Sequence, residues 1–587
     1  MSRRQIPPKN IQNLKITDDA YINGIWSAPF DWNVNAIHSV LLPDETVMTF
    51  GSFGIVEKED KDIRANKKIK LSDGTNIERD RGQYQWEGHD VNSGIDFDIW
   101  DIKKGVGDDA HKMFYQPIVM DSFCTVVRVL DKENVFMVGG NLNRSTQQPD
   151  TQNATMIYNV KKGTFKRTKD LNYKRWYGSL VRTGDEKLII IGGTDVRLSG
   201  IGKYKVSHTP EILDLNNINS GWRLLEKASS YKLFGEDLED EWNYPRSFLS
   251  SDGNVVGISY NKIWVMDKDD DYRVSQTGEI PLSTGGISRH LEHVIPTTEN
   301  QKEHNMHNAH ANHQHGHHGI SKPLNNKSMQ IVSMGGAVGS TSNTLMKGKD
   351  TVYLFGGKQE GKNYTSSNKV YKIDFSNSSK PKIEELSNMA FPRSNANSTI
   401  LPNGEIFING GEAYNDQEFS IFTPEIYNVD NQTTKTLSDG YFRRNYHSTS
   451  ILLPNGTILV SGGDVWNSEI FYPPYLFTKN WENKTVLAKR PKIVNFKDEI
   501  KRGELTIEIE ENGNQDIEMI TMISTGATTH AQASEPKFRS LEFNKLKNSK
   551  YLINIPRNPN EMANGTYMIF AVRSNGVPSE GKIVYLN

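Results

Sequence analysis

A strand-turn-strand unit that stops at paired glycines recurs along the chain, and no other feature limits the possible folds as much. Residues 446–463, Tyr-His-Ser-Thr-Ser-Ile-Leu-Leu-Pro-Asn-Gly-Thr-Ile-Leu-Val-Ser-Gly-Gly, display it most fully. Two apolar runs joined by a Pro-Asn-Gly turn read as a β-hairpin. Related units cover residues 36–54, 122–140, 176–193, 246–260, 293–336 and 394–411. Several lead into a further strand with a Pro-Glu-Ile signal, as in Thr209-Pro210-Glu211-Ile212 and Thr423-Pro424-Glu425-Ile426. A hairpin repeating about every 50 residues is the mark of a kelch-type blade, which buries its faces only against its neighbours. The fold class predicted is all-β: a seven-bladed kelch-type β-propeller over residues 31–485, after an N-terminal extension of residues 1–30.

Beyond about Arg490 the glycine stops cease, while short strand-like runs continue to the C-terminus. Residues 486–587 are therefore expected to form an immunoglobulin-like β-sandwich following the propeller. The balance of 69 Lys and Arg against 71 Asp and Glu leaves a formal net charge of −2, which gives no electrostatic reason to bind nucleic acid or an anionic membrane. No apolar run reaches the ~20 residues of a spanning helix. The N-terminal residues lack the apolar segment of a signal peptide, so an intracellular or particle-borne protein is expected.

One biased segment interrupts the repeats. His304, His307, His310, His313, His315, His317 and His318 fall within residues 303–319 and hold seven of the fifteen histidines. Such a tract suits a polar loop, at most a low-specificity copper or zinc reservoir. Its place inside the 293–336 unit, where the other units turn, puts it at the end opposite the hairpin entries.

Aligning the units by their turns gathers the chemistry. Cys124 lies six residues before Leu130, Tyr177 six before Thr183, and Tyr446 and His447 seven and six before Leu453. All four sit where a hairpin begins, at one end of a propeller whose first strands surround the axis. Cys124 is the single cysteine, so no intrachain disulfide forms, and by itself it reads as a small buried hydrophobe. A thiol, two phenols and an imidazole converging on one mouth are a poor set for packing alone.

These residues resemble the copper-radical oxidases, the family of glyoxal oxidase and galactose oxidase. Asp121-Ser122-Phe123-Cys124 is similar to the Asp-Thr-Phe-Cys of the glyoxal oxidase branch, and Arg175-Trp176-Tyr177 to its Arg-Trp-Tyr. Arg444-Asn445-Tyr446-His447-Ser448 resembles the Tyr-His blade, while Thr529-His530 and Gly576-Val577-Pro578-Ser579 resemble C-terminal motifs. The resemblance implies copper held by Tyr177, Tyr446, His447 and His530, and a thioether between Cys124 and Tyr177 as a protein-derived radical cofactor. It also implies oxidation of small aldehydes or primary alcohols by dioxygen, with hydrogen peroxide as product and Tyr446 as base. At the spacing where galactose oxidase carries a stacking tryptophan this chain has Asp195, leaving Trp242, Tyr244 and Trp466 as aromatic candidates. The competing expectation is a copper-free kelch scaffold presenting loops to a protein partner. Retention of Cys124, Tyr177, Tyr446, His447 and His530 together favours the oxidase.

Overall fold

The computed structural model describes residues 14–51, 68–71, 76–78, 96–115, 120–141, 152–195, 205–235, 244–281, 343–357, 366–413, 420–463, 465, 467–513, 515–530, 532–534 and 537–587. The all-β expectation holds among them. The two α-helices, Ala20–Asn23 and Tyr231–Phe234, are four residues each, and no helix is long and apolar enough to cross a membrane.

Strands of the repeat assemble into successive four-stranded antiparallel sets, each strand pairing with the next strand of its own set. The first strands of these sets are His38–Leu41, Val126–Val129, Ser179–Arg182, Arg246–Leu249, Asn343–Lys347, Ser394–Ile400 and Ser448–Leu452. The last set takes its outer strand from the N-terminus: Ile25 and Trp26 pair with Tyr472 and Phe471. Residues expected as an extension thus complete the final unit, while among the described residues no sheet closes on itself.

One repeat lies elsewhere than its sequence suggested. The fifth hairpin is Asn343–Lys347 paired with Thr351–Phe355, stopping at Gly356 and Gly357. The 293–336 segment assigned to that hairpin, together with the histidine tract, lies outside the described residues. The described strands on either side of it are Arg273–Glu279 and Asn343–Lys347.

The glycine stops have a steric cause. A Cβ on Gly139 would lie 2.2 Å from the Arg175 carbonyl oxygen, and one on Gly410 would lie 1.9 Å from that of Arg444. These carbonyls also accept the N–H of the second glycine, Gly140 at 3.0 Å and Gly411 at 2.8 Å. Each stop therefore holds the segment entering the next set, and only a residue without a side chain fits. The same entries are anchored by buried ion pairs: Arg175 to Glu211 at 3.1 Å, Arg393 to Glu425 at 3.0 Å and Arg444 to Glu469 at 2.6 Å. Arg175, Arg393 and Arg444 each also donate from Nη1 to a glycine-stop carbonyl, those of Gly192, Gly410 and Gly462, at 2.7 to 2.8 Å. That is the role of the glutamate in the Pro-Glu-Ile signal. Removing one partner of such a pair costs roughly 3–5 kcal/mol, because the other charge stays buried alone.

The C-terminal residues build two sheets. Lys492–Val494, Gly503–Glu510, Lys550–Ile555 and Phe543–Lys545 form one. Lys537–Leu541, Ile517–Ser524, Gly565–Arg573, Lys582–Leu586 and Glu499–Ile500 continue the fifth set through a parallel pairing of Met346 with Lys537. Ile507, Ile509, Ile520, Tyr551 and Ile569 pack in one core between them. From this region a hairpin, Ala527–Thr529 with Gln532–Ala533, reaches the first set, where Thr528 and Ala527 pair with Ser39 and Val40. That pairing fixes where His530 goes.

Candidate metal centre

Each candidate residue sits at a bend made by local hydrogen bonding. The Asp121 carboxylate accepts the Phe123 N–H at 3.0 Å, and the Ser122 carbonyl accepts the Thr125 N–H at 3.2 Å. Between them Cys124 is turned to φ 58°. Trp176 exchanges backbone hydrogen bonds with Thr194, and the next residue, Tyr177, takes φ 64°. His447 at φ 67° follows the anchored Arg444, and His530 at φ 50° tips the C-terminal hairpin. This left-handed region is unfavourable for residues with a Cβ, and such strain gathers at functional sites. Backbone bonds also join successive entries: Tyr177 N–H donates to the Cys124 carbonyl at 3.4 Å, and Tyr244 N–H to that of Tyr177 at 2.8 Å.

The bends bring the five predicted residues together. Cys124 Sγ lies 3.3 Å from His530 Nε2, and the donor atoms of Cys124, His447 and His530 lie within 4.8 Å of one another. The Tyr177 and Tyr446 hydroxyls are 2.5 Å apart. The His530 ring stands edge-on to those of Tyr177, Tyr446 and His447, with centroids 5.1, 5.0 and 4.7 Å away. Cys124, Tyr177 and His530 are buried, whereas Tyr446 and His447 are only partly buried. Solvent therefore meets the cluster on the Tyr446 side.

Burial sets the protonation. It pushes the Cys124 thiol and the Tyr177 phenol well above their usual values, Tyr177 further through its neighbours Cys124 and Tyr446. His530 is held well below the usual histidine value, by burial first and then by His447, His38 and Arg246. Without a cation these three groups are neutral at pH 7. The neutral His530 imidazole offers a lone pair at once, and the phenols become anionic donors on releasing protons to a bound metal. Two imidazoles with phenolic oxygens suit a tetragonal Cu(II), so the residues present fit copper.

Of the aromatic candidates, Tyr244 packs edge-on against Tyr177 with centroids 4.9 Å apart. Trp242 and Trp466 lie outside the described residues. Asp195 is buried and pairs with Lys174 at 3.6 Å. Two neighbours went unnoticed in the sequence. Arg246 is buried and donates to the Tyr244 carbonyl at 2.8 Å and to Gln532 Oε1 at 3.0 Å. His38 accepts the Cys124 N–H at 3.2 Å. Its signal was partial: a His-Ser pair precedes a Leu-Pro turn as at His447-Ser448, but His38 stands four residues before Leu42 where His447 stands six before Leu453.

Comparison with known proteins finds oxidases among the proteins this chain resembles. Residues 490–586 match the galactose oxidase-like, early set domain family. Homologues include galactose oxidase of Gibberella zeae, 29% identical over 32% of this chain and 28% of its own length. Aldehyde oxidase GLOX1 of Arabidopsis thaliana is 31% identical over 36% of this chain and 38% of its own length. The chain thus spans less than half the length of the curated relatives it matches. In fold it is similar to a fungal alcohol oxidase of the AA5 family solved in complex with copper, with a TM-score of 0.67 at 16% identity, covering 96% of this chain and 99% of that one. In sequence the chain is thus similar to galactose oxidase and to the aldehyde oxidases of the glyoxal oxidase type.

Proposed function

We propose that this chain is a copper-radical oxidase that oxidises small aldehydes, as their hydrates, or primary alcohols with dioxygen, giving the acid or aldehyde and hydrogen peroxide. The observation that carries the reading is the cluster itself. Cys124, Tyr177, Tyr446, His447 and His530 come from four separate stretches and meet within hydrogen-bond and ring-contact distance. The accompanying architecture is a seven-bladed propeller closed by Ile25–Trp26, with a C-terminal immunoglobulin-like sandwich lending His530. The Asp121-Ser122-Phe123-Cys124 motif and the aldehyde oxidase homologue favour the glyoxal oxidase side.

Copper, held by Tyr177, Tyr446, His447 and His530, would supply one-electron redox chemistry beside the thioether-linked Tyr177–Cys124 pair. The chain's own groups divide the rest. Tyr446, only partly buried and hydrogen-bonded to Tyr177, faces incoming substrate and takes the hydroxyl proton. Tyr177, buried behind it, receives the hydrogen from the adjoining carbon. Two electrons and two protons leave each alcohol or hydrate and reduce one dioxygen to hydrogen peroxide.

The test is a peroxide-coupled assay of copper-loaded protein over panels of small aldehydes and primary alcohols. Expected is one peroxide per substrate oxidised, dependent on copper and absent from protein kept with a chelator. Fully loaded protein that yields no peroxide on either panel would return the chain to the scaffold reading.

A further inference from the structure

We propose that His38 is a positioning residue for Cys124, holding the thiol where it can be joined to Tyr177. The inference rests on the oxidase reading and extends it to a residue outside the copper and radical set.

His38 opens the first strand of the first set and is fully buried. Its cross-strand partner is Phe50, and the two rings stack with centroids 4.5 Å apart and planes 7° from parallel. The stack fixes the imidazole plane, and Nε2 points at the Cys124 backbone, accepting its N–H across 86 residues of sequence. A backbone amide can only donate, so Nε2 is the bare nitrogen and the proton sits on Nδ1.

The bond acts on a residue that needs holding. Cys124 is in the left-handed region, at φ 58°, which a residue with a Cβ leaves when nothing restrains it. In that conformation the thiol lies within hydrogen-bond reach of the Tyr177 phenol and 3.3 Å from His530 Nε2. Packing alone does not account for an imidazole here. A phenylalanine would stack on Phe50 equally well, whereas His38 Nδ1 is buried with no protein partner among the described residues, an arrangement that disfavours the histidine. The acceptor at Nε2 is what distinguishes the histidine from the apolar ring.

The step it assists balances as follows. The Cys124 S–H and one ring C–H ortho to the Tyr177 hydroxyl are replaced by an S–C bond. Two protons and two electrons pass to dioxygen, giving hydrogen peroxide. Holding the sulfur beside that ring carbon raises the fraction of encounters that react, since small displacements of reacting atoms cost large factors in rate.

His38→Phe keeps the stack and removes the acceptor, while His38→Gln restores an acceptor without the ring. Two quantities are measured: amide hydrogen exchange at Cys124 in metal-free protein, and the rate of thioether formation after aerobic copper addition, with bound copper determined for each sample. His38→Phe is expected to bind copper as the parent does, exchange the Cys124 amide faster, and form the linkage about tenfold or more slowly. His38→Gln is expected to recover most of both. Linkage at the parent rate in His38→Phe, unchanged exchange, or a Gln variant no better than Phe would each overturn the inference. If the parent itself takes up copper and never links, the oxidase reading fails and this inference with it; a parent that links beside an equally fast His38→Phe sinks the inference alone.

Discussion

Cys124→Ser is expected to retain copper and to lose on the order of 10³-fold in turnover. The substitution separates two ways of reading one distance. Cys124 Sγ stands 3.3 Å from His530 Nε2, close enough that geometry alone would admit the sulfur as a copper ligand. In the oxidase account the sulfur instead modifies the Tyr177 ring, where its lone pair spreads an unpaired spin and eases oxidation. A thousandfold loss corresponds to about 180 mV on a one-electron couple, which is the effect asked of the thioether. Copper titration followed by peroxide assay distinguishes the cases. Lost copper with the serine variant would make Cys124 a ligand and remove the radical cofactor from the account.

His530→Asn should show the opposite pattern: copper binding weakened by at least about a hundredfold, since even outer-shell partners of a metal site are worth 10–100-fold. Asparagine is chosen because His530 lies at φ 50°, and asparagine tolerates that conformation better than most residues. The hairpin is held by pairing of Ala527 and Thr528 with Val40 and Ser39, so it should remain docked. Competition against a chelator of known affinity reads the effect. Unchanged copper affinity would place His530 outside the metal site and leave His447 as the imidazole donor.

Much of the candidate site was legible because the repeat carries its own ruler. Cys124, Tyr177, Tyr446 and His447 share an offset from the hairpin turn, and residues at one offset in homologous hairpins reach one end of the assembly. His530 lies outside the repeat, so no offset could place it; only the Thr529-His530 resemblance did. The left-handed backbone at Cys124, Tyr177, His447 and His530 leaves no trace in residue type, because neither tyrosine nor cysteine signals it as glycine would. His38 was hidden by a different offset, four residues before Leu42 where the others stand six before their turns.

The fifth hairpin was misplaced for a physical reason. Asn343-Thr344-Leu345-Met346-Lys347 has weak alternation, and its turn, Gly348-Lys349-Asp350, lacks the Pro-Asn-Gly form. Thr351–Phe355 then reads as an outer strand, although it pairs directly with Asn343–Lys347. The Arg393–Glu425 type of pair would have settled the register elsewhere, since an arginine entering each of three sets meets the glutamate of that set's third strand.

The most direct measurement is peptide mapping by mass spectrometry of protein loaded with copper in air. The account predicts one branched species joining the Cys124 and Tyr177 peptides, lighter than their sum by two hydrogens, with Cys124 no longer open to alkylation after unfolding. A fully copper-loaded protein in which Cys124 still alkylates quantitatively as a free thiol would contradict it.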